Sequence, residues 1–222
     1  MSRFPDPRYA RGDVVAMGDD LHVETLRDAY RHGIFPWPHD ELPLPWFSPR
    51  SRTVIVFDEL HVGRSLRKAQ RHSGFTFTID SAFEEVIAAC AETPRDDDTG
   101  TWIGTAIIAA YTHLHRAGDA HSVEVWRGAE LVGGLYGIDA GGVFTGESMF
   151  HSVADASKLA LLFLVEHLRA RGATWIDCQV MTPHMAALGA REISRGRFLD
   201  MLAESQAKGQ TLFDNSTFNI QH

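Results

Sequence analysis

Cysteine is nearly absent. Cys90 and Cys178 are the two present in 222 residues, too few for a disulfide framework and without the spacing of a zinc site. A reducing, cytosolic setting is the simplest expectation. Positive charge is also short: 21 Lys and Arg stand against 29 Asp and Glu, a formal net charge of −8. Taken whole, that balance argues against a nucleic-acid partner, because phosphate binding needs positive charge. No apolar run approaches the roughly 20 residues of a membrane-spanning helix, so no membrane partner is expected. The opening MSRFPDPRYARGD lacks the apolar core of a secretory signal. Internal repeats and low-complexity segments are missing too. What remains is an ordinary globular composition, 44% hydrophobic and 23% charged. The length allows one sizeable domain, or a main domain with a smaller one.

The charge is unevenly placed. Residues 50–72 hold Arg50, Arg52, Arg64, Arg67, Lys68 and Arg71 against Asp58 and Glu59, about +4 inside an acidic chain. Arg64, Arg67, Lys68 and Arg71 are spaced i, i+3, i+4, i+7, one face of a helix expected over 59–72. That face is either a plain solvated surface or a ridge for phosphates.

A short helix is expected over 23–32, capped by Gly33. The following IFPWPHDELPLPWFSPRSR is too rich in proline for a helix and reads as a rigid aromatic loop. Its Trp37, Trp46 and Phe47 suit either base stacking or a small core beneath the loop. Strands are expected over 53–57 and 75–80, then a helix opened by a Ser81-x-x-Glu84 capping box. The acidic RDDDTG segment reads as the junction between a small N-terminal α+β domain, residues 1–98, and a larger domain, residues 99–222. In the larger domain a helix over 103–117 precedes three strands joined by hairpin-length turns, 121–127, 130–138 and 142–148. An apolar helix over 155–171 and a strand over 173–180 follow. Two more helices are expected near 184–189 and 196–207, before a polar, weakly structured tail. The order α-β-β-β-α-β predicts an α/β (α+β) protein with a mixed, GNAT-like sheet. The turn before the apolar helix, SMFHSVADASK, lacks the glycines that would cradle the pyrophosphate of coenzyme A.

Three features suggest chemistry. Glu147 sits in an apolar, Gly-flanked strand end, where a carboxylate is costly unless it is paired. Asp177 and Gln179 lie two apart on a strand and are expected on one face, with Cys178 packed on the other. Trp102, in GTWI, is either a core staple or a wall of the site. His113 and His115 lie two apart on a helix and do not face one another, so no metal site is expected.

The series GIFPWP, WFSPR, GTWI, AHSVEVW, ELVGGLYG, FTGESMF, ASKLAL, IDCQV, HMAALGA and REISR, in this order from about residue 30 to 200, resembles the leucyl/phenylalanyl-tRNA–protein transferase family. The resemblance implies a small N-terminal domain, a GNAT-like C-terminal domain and no metal or diffusible cofactor. It implies an enzyme that takes Leu-tRNA or Phe-tRNA and moves the amino acid onto proteins beginning with Arg or Lys, marking them for degradation. It places Trp37, Trp102, Tyr30 and Tyr111 about the tRNA's terminal adenosine and aminoacyl end. Leu135, Phe144, Met149, Leu164 and Leu168 would form the pocket for the transferred side chain. Asp177, Gln179 and Glu147 would be catalytic, with Gln179 orienting the amine and Asp177 drawing off charge through it. On charge and spacing, not on the resemblance, Arg64, Arg67, Lys68 and Arg71 would meet the tRNA backbone. The family often has Met at the place of Leu135 and aromatics at those of Leu164 and Leu168, which leaves the choice among Leu, Phe and Met open. The alternatives are a coenzyme A-dependent GNAT-type N-acyltransferase and a noncatalytic RNA-binding adaptor.

Overall fold

The computed structural model describes residues 2–18, 20–38, 43–93 and 101–214. Strand β1 (Val14–Met17) precedes helix α1 (Val23–Arg31). Gly33 ends α1 in the left-handed region, at φ +71°, and donates its N–H to the Tyr30 carbonyl at 3.0 Å. A Cβ there would lie 2.7 Å from Phe198 and 2.8 Å from Leu199, so both conformation and packing require glycine. The proline-rich loop is more regular than expected. It contains β2 (Phe35–Pro36) and β3 (Pro45–Phe47), which with β1 form a small antiparallel sheet of order β1-β3-β2. Each proline sits where a strand tolerates it: Pro36 on an edge, Pro45 at a first residue.

β4 (Ser51–Val56) runs into a 3₁₀ turn, Phe57–Glu59, and α2 (Arg64–His72) starts later than expected. The segment between is extended, and His61 donates its N–H to Leu188 at 2.9 Å. β5 (Thr76–Ile79), α3 (Phe83–Glu92) and α4 (Thr105–Arg116) come next. The expected capping box does not form. Glu124 takes the Ser81 N–H at 3.3 Å, and Arg116 takes Glu84 at 2.7 Å.

β6 (Ala120–Arg127), β7 (Glu130–Asp139), β8 (Phe144–His151), α5 (Ala156–Ala170) and β9 (Trp175–Gln179) follow in the expected order. The chain then adds α6 (Pro183–Ala187), β10 (Arg191–Ser194) and α7 (Arg195–Ala207). Seven strands form one mixed sheet, β10-β4-β9-β8-β7-β6-β5. It is antiparallel except between β8 and β9, which run parallel and meet at Thr145 and Asp177. Two apolar clusters cover its faces. One holds Val86, Ile107 and Tyr136 under α3 and α4; the other holds Val132, Leu135 and Leu164 under α5.

β4 and β5 lie in the same sheet as β6–β9, so elements on both sides of the expected 98/99 junction share one sheet. The junction itself, with the whole of the acidic RDDDTG segment, lies outside the described residues. The tail corrects another expectation: Leu212 and Phe213 are buried, because the chain doubles back over α5. No helix among the described residues is long and apolar enough to cross a membrane.

Candidate active site

β8 and β9 separate beyond Thr145 and Asp177, and a cavity of about 580 Å³ opens there. Its apolar wall comes from Leu135, Phe144, Met149, Leu161, Leu164 and Ile176. Trp37 and Trp102 line it from loops, and Glu147 and Gln179 face it from the diverging strands. This joins most of the residues singled out from the sequence. Leu168 is an exception: it is fully buried in the core and absent from the cavity wall. It lies one turn too far along α5, and Leu161 holds the wall position that the sequence reading missed. Trp46 belongs to the core, with its indole N–H on Gly18 at 2.6 Å and its ring 4.7 Å from Phe4.

Glu147 is the best-held carboxylate on the cavity. Its Oε1 accepts from the Tyr30 hydroxyl at 2.7 Å and from the Gln179 amide at 2.7 Å. Its Oε2 has only a long contact with the Tyr111 hydroxyl, 3.4 Å, which leaves that oxygen the freer acceptor. Tyr30 and Tyr111 are buried and do not line the cavity; they stand behind Glu147 and share a hydrogen bond of 2.5 Å. Burial, then the Glu147 charge, pushes both phenols well above their usual range, so they remain donors. Burial raises Glu147 itself to about 7, against the opposing Tyr30 hydrogen bond. A carboxyl tuned in this way exchanges a proton near neutral pH.

Asp177 departs from expectation. It does not line the cavity and is fully buried. Its two oxygens accept from the Arg52 guanidinium at 2.8 and 2.6 Å. The Thr145 hydroxyl adds a bond at 3.1 Å and the Gln179 backbone N–H one at 2.9 Å. Arg52 is itself held between the rings of Phe35 and Phe198, 4.6 and 4.5 Å from their centroids. Asp177 therefore has its charge partner already and positions Gln179 through the backbone. Strand alternation fails at Gln179 because its φ of +61° leaves extended geometry. Its side chain turns into the cavity, next to Cys178, which also lines it. Burial pushes the Cys178 thiol up, which disfavours the thiolate.

Arg52, counted by sequence with the surface cations, is instead a buried partner of Asp177. The signal was its place in a strand with Val54 and Ile55, where a buried arginine demands a buried acid. Arg64, Arg67, Lys68 and Arg71 are exposed along α2 and form no ion pair with a described carboxylate. The cavity also has a polar end that sequence did not reveal, with His151, Lys158 and His184. There Asp155 pairs with Lys158 at 3.1 Å and places a carboxylate at the start of α5, a poor setting for a pyrophosphate.

Residues 54–203 match the family model described as leucyl/phenylalanyl-tRNA protein transferase, and residues 19–50 match that family's N-terminal domain. This chain belongs to the leucyl/phenylalanyl-tRNA–protein transferase family. A relative of that name from Chromohalobacter salexigens is 60% identical over 90% of this chain and 78% of its own. Relatives of the same name from Syntrophobacter fumaroxidans and Pectobacterium carotovorum are 51% and 49% identical. They align over 91% and 92% of this chain, and each over 87% of its own length. The two family models meet near the start of β4, where the small sheet gives way to the large one. All the cavity residues named above except the loop residue Trp37 fall within the longer match.

Proposed function

We propose that this protein transfers leucine or phenylalanine, and by the same pocket methionine, from aminoacyl-tRNA to the N-terminal Arg or Lys of acceptor proteins in the cytosol, without cofactor. The observation that carries this reading is the cavity: an apolar wall of side-chain size, flanked by Trp37 and Trp102, with Glu147 and Gln179 at its polar edge. The wall takes the amino-acid side chain, and the two tryptophans stack the terminal base. The donor ester is already activated, so holding both reactants and removing a proton are the main tasks. The acceptor amine attacks the ester carbonyl carbon. Gln179 holds the amine, and Glu147 takes its proton at Oε2. The carbon–oxygen bond to ribose breaks, the ribose oxygen regains a proton and a peptide bond remains. Tyr30 and Tyr111 hold the Glu147 carboxylate ready, and Asp177 with Arg52 fixes Gln179.

The direct test mixes the protein with radiolabelled Leu-tRNA and a peptide beginning with Arg or Lys, with and without ribonuclease treatment. Label should reach the peptide only with intact tRNA. Transfer from acetyl-coenzyme A, or no transfer from any donor, would refute the proposal.

The exposed α2 face supplies the tRNA backbone contact. Changing Arg64, Arg67, Lys68 and Arg71 to Ala should weaken tRNA binding and flatten its salt dependence by roughly one unit of log–log slope per lost phosphate contact. KM for an aminoacyl-adenosine, which has no phosphates, should not move. Filter binding from 50 to 200 mM salt and parallel kinetics check both points.

Leu161 and Leu168 should part company. Leu161→Ala enlarges the cavity and should shift donor preference toward bulkier side chains by about tenfold. Leu168→Ala should cost about 2–5 kcal/mol of stability with preference unchanged. Competition between Leu-tRNA and Phe-tRNA, alongside thermal melting, separates the two.

A further inference from the structure

We infer that Phe213, in the C-terminal segment beyond the family match, sets donor specificity by backing Phe144, the cavity's ring wall. The inference rests on the transferase reading above. Phe144 is confined on two sides. Below it lies Gly137, where a Cβ would come within 2.5 Å of the ring; no larger residue leaves the ring its place. Behind it lies Phe213, 5.9 Å away between centroids and tilted by 49°. Phe144 also lines the cavity. Phe213 is 5% exposed and is itself anchored. It stacks on His121 at 3.8 Å and 10°, and lies 5.3 Å from the His167 ring. The backbone on either side is tied down: the His167 ring bonds the Leu212 carbonyl at 3.0 Å, and Arg171 pairs with Asp214 at 2.9 Å.

Phe213 touches no substrate in this arrangement, so it is a positioning residue acting through Phe144. A smaller side chain at 213 leaves a vacancy into which the Phe144 ring can tilt, deepening the pocket. A larger one presses the ring into the cavity and shortens it. Close-packed interiors transmit such changes because few neighbouring voids absorb them.

The test compares kcat/KM for Leu-, Phe- and Trp-tRNA in the wild type, Phe213→Leu and Phe213→Trp. Phe213→Leu should raise the Trp-to-Leu ratio by about tenfold, and Phe213→Trp should lower the Phe-to-Leu ratio by about as much. A purely structural role would change all donors alike and leave the ratios fixed. Ratios within twofold of wild type in variants that melt cooperatively overturn the inference. So does a crystal structure of Phe213→Leu with the Phe144 ring unmoved, a result independent of activity. Failure of the wild type to use any aminoacyl-tRNA would instead overturn the transferase reading itself.

Discussion

Glu147→Gln should slow transfer by about 10²–10⁴-fold at pH 8, the usual scale for loss of a general base, with tRNA binding intact. The wild-type rate should rise with pH through about 7, the value to which burial raises this carboxyl, because only the ionised form accepts a proton. A second rise belongs to the acceptor amine, whose free value is about 7.7–8.0. In Glu147→Gln only the amine's rise should remain. A variant profile that keeps the limb near 7 would remove Glu147 from the chemistry. Stability gives an independent check. A carboxyl whose folded pKa exceeds its unfolded one favours the folded state fully at pH below the unfolded value of 4.5. That contribution is lost as pH rises through about 7. The wild type thus carries a penalty at pH 8 that the neutral glutamine escapes. Glu147→Gln should melt higher than wild type at pH 8 and gain nothing at pH 4.

Arg52→Ala should be the most destabilising change near the site. It leaves the Asp177 carboxylate buried without its cation, a loss of about 3–5 kcal/mol. In a chain of this size that lowers Tm by roughly 6–20 °C. Asp177→Ala should fall by a similar amount, through an orphaned Arg52. The double variant should cost less than the sum, since the second change removes the group that the first left unpaired. Gln179→Gly should behave in the opposite way. Glycine suits φ +61° without strain, so stability should hold or rise while transfer collapses. Activity loss with normal melting in Asp177→Ala would overturn its assignment as a positioning residue and return it to direct catalysis.

Elements are most legible in the sequence where periodicity is long. The three meander strands and the apolar helix α5 each have enough residues for a pattern to show. β10 escaped because its four residues, Arg191–Ser194, have no buried alternation and their strand character comes from pairing with β4. β2 and β3 escaped because two or three residues among prolines carry no period. The cavity's contributors were legible as motifs, but depth was not. Leu164 and Leu168 look alike in sequence, and only the place where β8 and β9 part decides which of them meets the opening. Asp177 posed the same problem in charge: nothing in the sequence pairs it with Arg52, 125 residues away.

That cation comes from far away. Arg52 and Asp177 are 125 residues apart in the chain, and among the described residues β4 pairs with β9 and β10. A ribosome adding about 5–20 residues per second needs roughly 6–25 s to span that distance. During this time β4 waits with both edges unpaired and a guanidinium destined for the interior. The site is therefore among the last parts of the protein to exist during synthesis. A chain halted before β9 would carry the basic face of α2 without Asp177 and Gln179, the pair proposed to hold the acceptor amine.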